Sequence, residues 1–228
     1  MPMIAAASSH KLAKRLFLLV SIYTIFIPVA GRAFPVFPRL GQELYDEYPN
    51  AGLYYYGFTV SDPLLRILDR AQIHRWPEHI QSLEASHTLG VTNPVRKFFN
   101  PIVGVVQFAF NFTERVGSDE DTIYEFDPYL TFRWANFSWN DIVNTSFAIG
   151  EGISYVTSIP SLEGNENTNT KRLLNYLMLE ATFAAPNQPR LQLVFRIHHR
   201  SGAYGLYHAG NTGSNDIGLG IRYLFDKV

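Results

Sequence analysis

Alternation of apolar and polar residues, repeated in eight separate segments, is the feature that most constrains how this chain can fold. In the segment 101–113, Phe108 and Phe110 fall on one side of an extended chain, and Gln107 and Asn111 fall on the other. Because successive side chains of a β-strand point to opposite faces, this period of two predicts strands. We predict an all-β fold with strands at 52–60, 79–90, 101–113, 122–137, 141–158, 172–186, 190–202 and 216–225.

Two arrangements of such strands are compatible with the pattern. A soluble sandwich or lipocalin-like barrel turns its apolar face inward, whereas a membrane barrel turns it to lipid and keeps a polar interior. The even number of strands favours the membrane barrel, as does the length of the fourth to seventh strands, which exceed ten residues. The polar faces also carry both signs of charge, which can pair inside a narrow barrel: Glu125, Asp127, Arg133, Glu180, Arg196, His198, Arg200 and Arg222. We therefore predict an eight-stranded antiparallel outer-membrane β-barrel.

The first 33 residues have the pattern of a secretory signal peptide. Three basic residues within 11–15 precede the apolar run 16–30, and the small-residue sequence "GRA" follows. The alternative is an N-terminal membrane anchor, but fifteen apolar residues are few for a helix that spans a bilayer. The sequence thus predicts a signal peptide at 1–33 and a transmembrane barrel at 34–228.

Charge and cysteine content exclude several classes of function. Removing residues 1–33 takes away four of the 19 basic side chains and none of the 20 acidic ones, which leaves a formal charge of −5. A protein that binds nucleic acid is expected to be basic, so nucleic acid is not a predicted partner. The chain has no cysteine, which excludes disulfides and a thiol nucleophile.

The lengths of the predicted connections indicate which end of the barrel faces outward. With the N-terminus on the periplasmic side, the outer connections are 61–78, 114–121, 159–171 and 203–215, and the inner ones are 91–100, 138–140 and 187–189. The outer connections are longer on average, as in membrane barrels. The first of them contains "PLLRILDRAQIHRW", which is compatible with a short amphipathic helix over the barrel mouth.

The last predicted strand ends on Phe225, followed by "DKV". Outer-membrane barrels commonly end on an aromatic residue that the barrel assembly machinery recognises. We therefore expect that machinery to be a partner, with its signal displaced by three residues. The sequence leaves open whether the barrel forms a homodimer.

The seventh strand carries polar residues where its apolar face should continue. His199 and Ser201 have the same parity as Phe195 and Ile197, so all four are predicted to point outward. Residues two apart on one face are separated by about 7 Å, which lets an imidazole reach a hydroxyl as its general base. The alternative is that His199 and Ser201 only mark the edge of the hydrocarbon layer.

The C-terminal sequence "RIHHRSGAYGLYHAGNTGSNDIGLGIRYLF" resembles the last two strands of the PagL family, the lipid A 3-O-deacylases. The segments 150–155 and 170–180 resemble acyloxyacyl hydrolase-like proteins of the same kind. The resemblance implies an eight-stranded barrel in the outer membrane of a Gram-negative bacterium, surrounded by outer-membrane lipid, which removes an ester-linked acyl chain from lipid A of lipopolysaccharide. Ser201 would be the nucleophile and His199 its base, and no metal or organic cofactor would be required.

Two positions depart from the pattern of that family. The family follows its serine with an asparagine that helps to hold the oxyanion, and Gly202 stands there in this chain. A backbone N–H of Gly202 or Ala203 is the predicted substitute. The family's acidic residue has Asp216 as its nearest equivalent, but the parity of Asp216 points inward unless the strand begins later or bulges.

Three further charged residues are weaker candidates. Arg200 and His198 are predicted to belong to the interior, although an Arg200 at the rim could hold a lipid phosphate. Glu151 has outward parity on the fifth strand, and the glycines beside it suggest a bulge that could turn it inward. Two other functions stay open: a non-catalytic outer-membrane barrel, structural or lipid-binding, and a soluble periplasmic barrel with an apolar cavity.

Overall fold

Eight antiparallel strands form a closed barrel, in which each strand pairs with the next and the last strand pairs with the first. The structure, a computed structural model, describes residues 40–117, 122–166, 168–210 and 212–226. The strands are β1 Asn50–Val60, β2 Arg75–Thr88, β3 Val105–Val116, β4 Ile123–Trp134, β5 Asn144–Val156, β6 Leu173–Ala184, β7 Leu191–Ser201 and β8 Gly213–Phe225. The predicted fold class and all eight predicted strands are confirmed. The predicted signal peptide lies outside the described residues.

Short helices occupy the connections. We call the end of the barrel that carries the connection 61–74 the outer end, and the opposite end the inner end. Helix α1 (Gln42–Glu47) precedes β1, α2 (Leu64–Arg70) follows β1, α3 (Pro94–Phe99) follows β2, and α4 (Ser161–Glu166) follows β5. A 3₁₀ turn at Ala203–Gly205 follows β7. No helix in the described part of the chain is long and apolar enough to cross a bilayer.

The inner connection between β2 and β3 is longer than predicted. It spans 89–104 instead of 91–100, because residues 89–90, assigned to the second strand, and residues 101–104, assigned to the third, lie outside both strands, before and after α3. The Asn93 side chain accepts a hydrogen bond from the Val95 N–H at 2.9 Å, and Pro94 is the first residue of the helix. Both are signals for a helix start. This inner connection is therefore as long as the outer connection 157–172.

The outward face of the barrel is apolar. On β7, Leu193 and Phe195 are 45% and 46% exposed, and Ile221 of β8 is 59% exposed. Exposed aromatic residues lie at both margins of this face: Tyr56, Tyr124 and Tyr155 toward the outer end, and Trp139, Tyr223 and Phe225 toward the inner end. An apolar band between aromatic girdles is the surface of a transmembrane barrel. The soluble barrel with an apolar cavity requires the opposite arrangement.

The lumen is filled by paired charges. In its inner half, Glu180 accepts hydrogen bonds from Arg133 at 2.7 Å, from Arg196 at 2.6 Å and from Arg222 at 2.6 Å. Glu84 also pairs with Arg196, at 2.5 Å. Burying charges is costly unless they are paired and hydrogen-bonded. These five side chains form ion pairs and hydrogen bonds with one another, which offsets that cost.

The outer half of the lumen is more acidic. Arg115 bonds Asp216 at 2.8 Å, Glu125 at 3.3 Å and Glu78 at 3.4 Å, all four side chains being fully buried. Arg200 bonds Glu163 of α4 at 2.8 Å. Helix α4 therefore reaches into the outer end of the barrel, and its carboxylate joins the charge pairs of the wall.

Helix α1 closes the inner end. Tyr45 is buried and its hydroxyl lies 3.1 Å from Ser146 Oγ, while Arg96 of α3 bonds Asp46 at 2.5 Å. Arg96 also donates to the carbonyl oxygens of Leu89 and Gly104, at 2.8 and 2.9 Å. The same arginine thus fixes the ends of the connection 89–104 against α1.

Replacing Glu180 with glutamine should destabilise the barrel strongly. The change leaves Arg133, Arg196 and Arg222 with an excess of buried positive charge, and breaking a buried pair in this way costs about 3–5 kcal/mol. Urea unfolding in detergent micelles, followed by tryptophan fluorescence, measures the loss. Glu151→Gln is the matched control on the neighbouring strand, because Glu151 faces outward and its neutralisation should cost nothing. Equal effects of the two changes would contradict this view of the lumen.

Candidate active site

His199 and Ser201 lie on the outward face of β7, at its outer end. The strand alternates regularly, with Arg196, His198 and Arg200 buried in the lumen and the residues between them facing outward. Both His199 and Ser201 are half-buried. The outward direction expected from parity is therefore what the structure shows, and Ile197 lies directly below His199 on the same face.

Asn215 is the hydrogen-bond partner of His199, a role that no local sequence pattern predicts. The two residues face each other on β7 and β8, and His199 Nδ1 lies 2.7 Å from Asn215 Oδ1. The Asn215 amide nitrogen donates to the carbonyl oxygen of Asp62 at 2.9 Å, which orients Oδ1 toward the imidazole. Because Oδ1 only accepts, the proton of a neutral His199 sits on Nδ1 and leaves Nε2 as a base.

The connection between β1 and β2 supports this arrangement from above. His74 donates its backbone N–H to Asp62 Oδ2 at 2.5 Å, and its ring Nδ1 lies 3.0 Å from the same carboxylate. Asn215 is only 5% exposed as a result, despite its outward parity. The chain His74–Asp62–Asn215–His199 thus links the outer connection to the imidazole.

Ser201 lies beside the imidazole but is not bonded to it among the described residues. The two residues are two positions apart on one face, a separation of about 7 Å between Cβ atoms. Catalytic hydrogen bonds are often long in structures without substrate, so rotation of both side chains can still bring them together. The cross-strand partner of Ser201 on β6 is Asn175, which is half-buried on the same outward face.

The backbone N–H of Gly202 already donates a hydrogen bond within the barrel. It donates to the carbonyl oxygen of Thr212 at 3.1 Å, so the structure does not offer it to an oxyanion. Ala203 follows with a φ of +44°, a left-handed conformation that is costly for a residue with a side chain. Of the two predicted backbone donors, only the Ala203 N–H is left for that role.

Asp216 and Arg200 both face the lumen, away from Ser201. Strand β8 pairs regularly with β7 from Gly213 onward, so it has neither the late start nor the bulge that Asp216 would need to point outward. The Asp216 carboxylate is fully buried and accepts hydrogen bonds from Arg115 and Thr59. Arg200 is fully buried against Glu163, which excludes a rim position from which it could hold a phosphate.

Glu151 faces outward, because the pairing of β5 with β6 continues without a bulge through the glycines on either side of it. The suggestion that these glycines turn it inward is wrong. Leu177 lies between Glu151 and His199 in one cross-strand row, so the carboxylate and the imidazole are two strands apart. Two strand spacings are about 9.6 Å, too far for a hydrogen bond.

His198 belongs to the lumen, where its Nε2 lies 2.8 Å from Glu125 Oε1. In the described part of the chain, the one group of side chains that could hold a metal ion is Glu125, Asp127 and His198. This group is separated from Ser201 by the barrel wall. The outer site consists of a hydroxyl, an imidazole and two amides, which is suited to proton transfer and acyl transfer.

The architecture defines a class of protein: a closed eight-stranded barrel with a lipid-compatible exterior, a charged lumen, and polar residues on its outer wall at one end. No protein-family model matches the chain, and no curated protein matches it. Among solved structures, it is similar to the outer membrane enzyme PagL, with 14% identity, a TM-score of 0.48, and coverage of 77% of this chain and 99% of that one.

Two further solved structures match the chain over most of its length. The chain is similar to Neisserial surface protein A (NspA), with 9% identity and a TM-score of 0.40. The match covers 77% of this chain and 95% of NspA. It is also similar to the outer membrane protein OprG from Pseudomonas aeruginosa, with 12% identity and a TM-score of 0.30. This match covers 78% of this chain and 98% of OprG.

Acidification should loosen the connection 61–74. Burial acts to raise the pKa of Asp62, but hydrogen bonds from the ring and the backbone N–H of His74 outweigh burial and lower that pKa below its ordinary 3.8. A carboxyl group with a depressed pKa in the folded state stabilises the loop above its unfolded pKa, and this stabilisation is lost as pH falls through the folded pKa. We therefore expect the loop to stay ordered at mildly acidic pH and to become mobile only below the ordinary Asp62 pKa of 3.8.

A spin label reports this transition, because the chain has no cysteine and Arg70→Cys creates a single attachment point. The label should be restrained at neutral pH and mobile in acid. In Asp62→Asn the label should be mobile at every pH. An identical acid transition in both proteins would show that another group controls the loop.

Proposed function

We propose that this protein is an outer-membrane serine esterase that removes an ester-linked acyl chain from lipid A of lipopolysaccharide at the outer leaflet. The observation that carries the proposal is the outward-facing set Ser201, His199 and Asn215, placed where the apolar wall of β7 and β8 ends. The hydrogen bond of 2.7 Å from His199 to Asn215 sets the tautomer that a general base needs.

In the proposed reaction, Ser201 Oγ attacks the carbonyl carbon of the ester while His199 Nε2 takes the hydroxyl proton. The tetrahedral intermediate collapses with cleavage of the bond between that carbon and the sugar oxygen. His199 then returns the proton to the sugar alkoxide. A water molecule repeats the sequence on the acyl-serine, which releases the fatty acid and restores both side chains.

The surroundings of Ser201 suit a substrate that is itself part of the membrane. Below the polar residues, Ile197 of β7 and Ile217 of β8 continue the outward apolar face, with Leu179 beside them on β6. An acyl chain can lie along this wall in the hydrocarbon layer while its ester group lies at the level of Ser201. The substrate therefore does not have to leave the bilayer.

Asn175 and Ala203 are the proposed oxyanion donors. The Gly202 N–H is bonded to Thr212, so the negative charge of the intermediate needs other donors. The Asn175 side-chain amide lies on the strand next to Ser201, directly across from it, and the Ala203 N–H lies two residues along the chain. A side-chain amide is an established type of oxyanion donor in acyl transfer.

A non-catalytic barrel, structural or lipid-binding, is the second candidate. It is favoured because no carboxylate bonds His199 among the described residues, since Asp216 is bonded to Arg115 in the lumen. It is favoured also because the Gly202 N–H donates a hydrogen bond to the Thr212 carbonyl oxygen and so does not face an oxyanion. In both cases we propose the outer membrane of a Gram-negative bacterium as the location, outer-membrane lipid as the surroundings, and insertion by the barrel assembly machinery.

Mass spectrometry of lipid A separates the two candidates. Cells that express the protein should lose one ester-linked acyl chain from lipid A, whereas cells with Ser201→Ala should keep it, because the nucleophile is absent. Ser61→Ala is the matched control, since its hydroxyl donates only to the His74 carbonyl in the same region. Heat-dependent migration on SDS gels checks that each barrel is folded. Unchanged lipid A with the parent protein would favour the non-catalytic barrel.

Asn175→Ala should lower kcat by about 10²–10³-fold and leave KM nearly unchanged, because the donor acts mainly on the charged intermediate. Hydrolysis of purified lipid A in detergent measures both constants. Asn50→Ala is the control, an asparagine at the inner end whose side chain bonds Asp226 and His87. A full rate in Asn175→Ala would exclude it as an oxyanion donor.

A further inference from the structure

The outer half of the lumen holds more negative charge than its arginines can balance. Its buried carboxylates are those of Glu78, Glu125, Asp127, Glu163 and Asp216, and its buried arginines are Arg115 and Arg200. Arg115 bonds three of the carboxylates and Arg200 bonds Glu163. Asp127 forms no ion pair with an arginine among the described residues. Five buried carboxylates thus share two arginines, and Asp127 is left without an arginine partner.

Unpartnered acceptor atoms collect around this carboxylate. Asp127 Oδ1, His198 Nδ1 and Asn111 Oδ1 are buried and have no hydrogen-bond partner among the described residues. His198 can donate Nε2–H to Glu125, which leaves Nδ1 with a lone pair and no donor. Buried polar atoms are nearly always satisfied, so three acceptors at one place need an explanation.

The orientation of Asn111 cannot be reversed to supply a donor there. Its amide nitrogen already donates to Asp127 Oδ2 at 2.9 Å and to Thr113 Oγ1 at 2.8 Å. Asn111 and Asp127 are cross-strand partners on β3 and β4, so the amide oxygen stays beside the carboxylate. With a neutral His198 imidazole, all three unmatched atoms can therefore donate an electron pair to a positive centre.

We propose that the group Asp127, His198 and Glu125 holds a divalent transition-metal cation inside the barrel, with Zn²⁺ the best fit: Asp127, His198 Nδ1 and the Asn111 oxygen coordinate the cation, and Glu125 accepts the Nε2–H of the coordinating imidazole. Ligand atoms of the first three residues all lie within 4.8 Å of one another. Tetrahedral Zn²⁺ holds its ligands at about 2.0–2.2 Å and therefore about 3.4 Å apart, so small side-chain rotations complete the site. Carboxylate and imidazole ligands together suit Zn²⁺ better than Ca²⁺ or Mg²⁺.

The site would be structural. It links β4 to β7 across the lumen through Asp127 and His198, and it supplies the positive charge that the outer half lacks. Tyr176 packs its ring at right angles to the His198 ring at 4.8 Å, which fixes the plane of the imidazole. The cation is enclosed by the barrel wall and takes no part in the proposed reaction at Ser201, so the two proposals can fail independently.

Metal content and unfolding test the proposal. Because the site is fully buried, the protein is refolded from urea into detergent micelles with either EDTA or ZnCl₂ and then freed of unbound metal. We expect one Zn²⁺ per chain by elemental mass spectrometry and an unfolding midpoint several degrees higher than in EDTA. Refolding with Co²⁺ should give the visible absorption of a tetrahedral complex.

Asp127→Asn is the informative variant. It removes the unpaired charge, so without metal it should unfold at the same temperature as the parent or higher. It should bind no Zn²⁺ and show no midpoint shift. A merely structural Asp127 would instead give a variant that is less stable in both buffers. Should Asp127→Asn not fold, His198→Gln provides the second test, and Glu151→Gln is the control that keeps the metal.

Two results would overturn the proposal. One is a parent protein without stoichiometric metal and with the same midpoint in EDTA and ZnCl₂, which would indicate that a shared proton neutralises Asp127. The other is an Asp127→Asn variant that retains one Zn²⁺ per chain.

Discussion

The pairing of buried charges across the lumen is the interaction on which the rest of this structure depends. An exterior made of phenylalanine, leucine and isoleucine has no hydrophobic core to pack against in lipid, and the chain has no disulfides. Barrel closure satisfies the backbone, and the side chains inside must satisfy one another. Glu180 with its three arginines and Arg115 with its three carboxylates do so in the two halves of the lumen.

The same pairing determines where the outer site can form. A register slip of one residue would place arginines in lipid and aromatic residues in the lumen. The interior ion pairs therefore determine which face of each strand points into the lumen. On β7, His198 bonds Glu125 and Arg200 bonds Glu163, on either side of His199. These inward anchors hold the backbone next to His199 and Ser201, although they touch neither. The site is therefore held from the lumen as well as by the hydrogen bond from Asn215 to the Asp62 carbonyl in the outer connection.

The sequence alone predicts those features of the fold and the site that depend on local periodicity. Strand positions, the two faces and the outward direction of His199 and Ser201 follow from a period of two. The sequence could not identify Asn215 as the partner of His199, because this contact depends on the register between β7 and β8 and on the carbonyl of Asp62, far away in the chain. The burial of Arg200 likewise depends on Glu163, a residue in a connection without periodicity.

The hydrogen-bond partner of His199 is the side-chain amide of Asn215 and not a carboxylate, which agrees with the location of the site. A carboxylate that faces hydrocarbon is costly, and within a barrel wall it needs a cation or an interfacial position. Asn215 fixes the imidazole tautomer without bringing a charge to that face, and the Asp62 carbonyl completes its hydrogen bonds. In the proposed reaction, the cost is weaker stabilisation of the imidazolium that would form when His199 takes the proton. Under the proposed function, a site built in this way favours stable insertion in lipid over the highest rate of reaction.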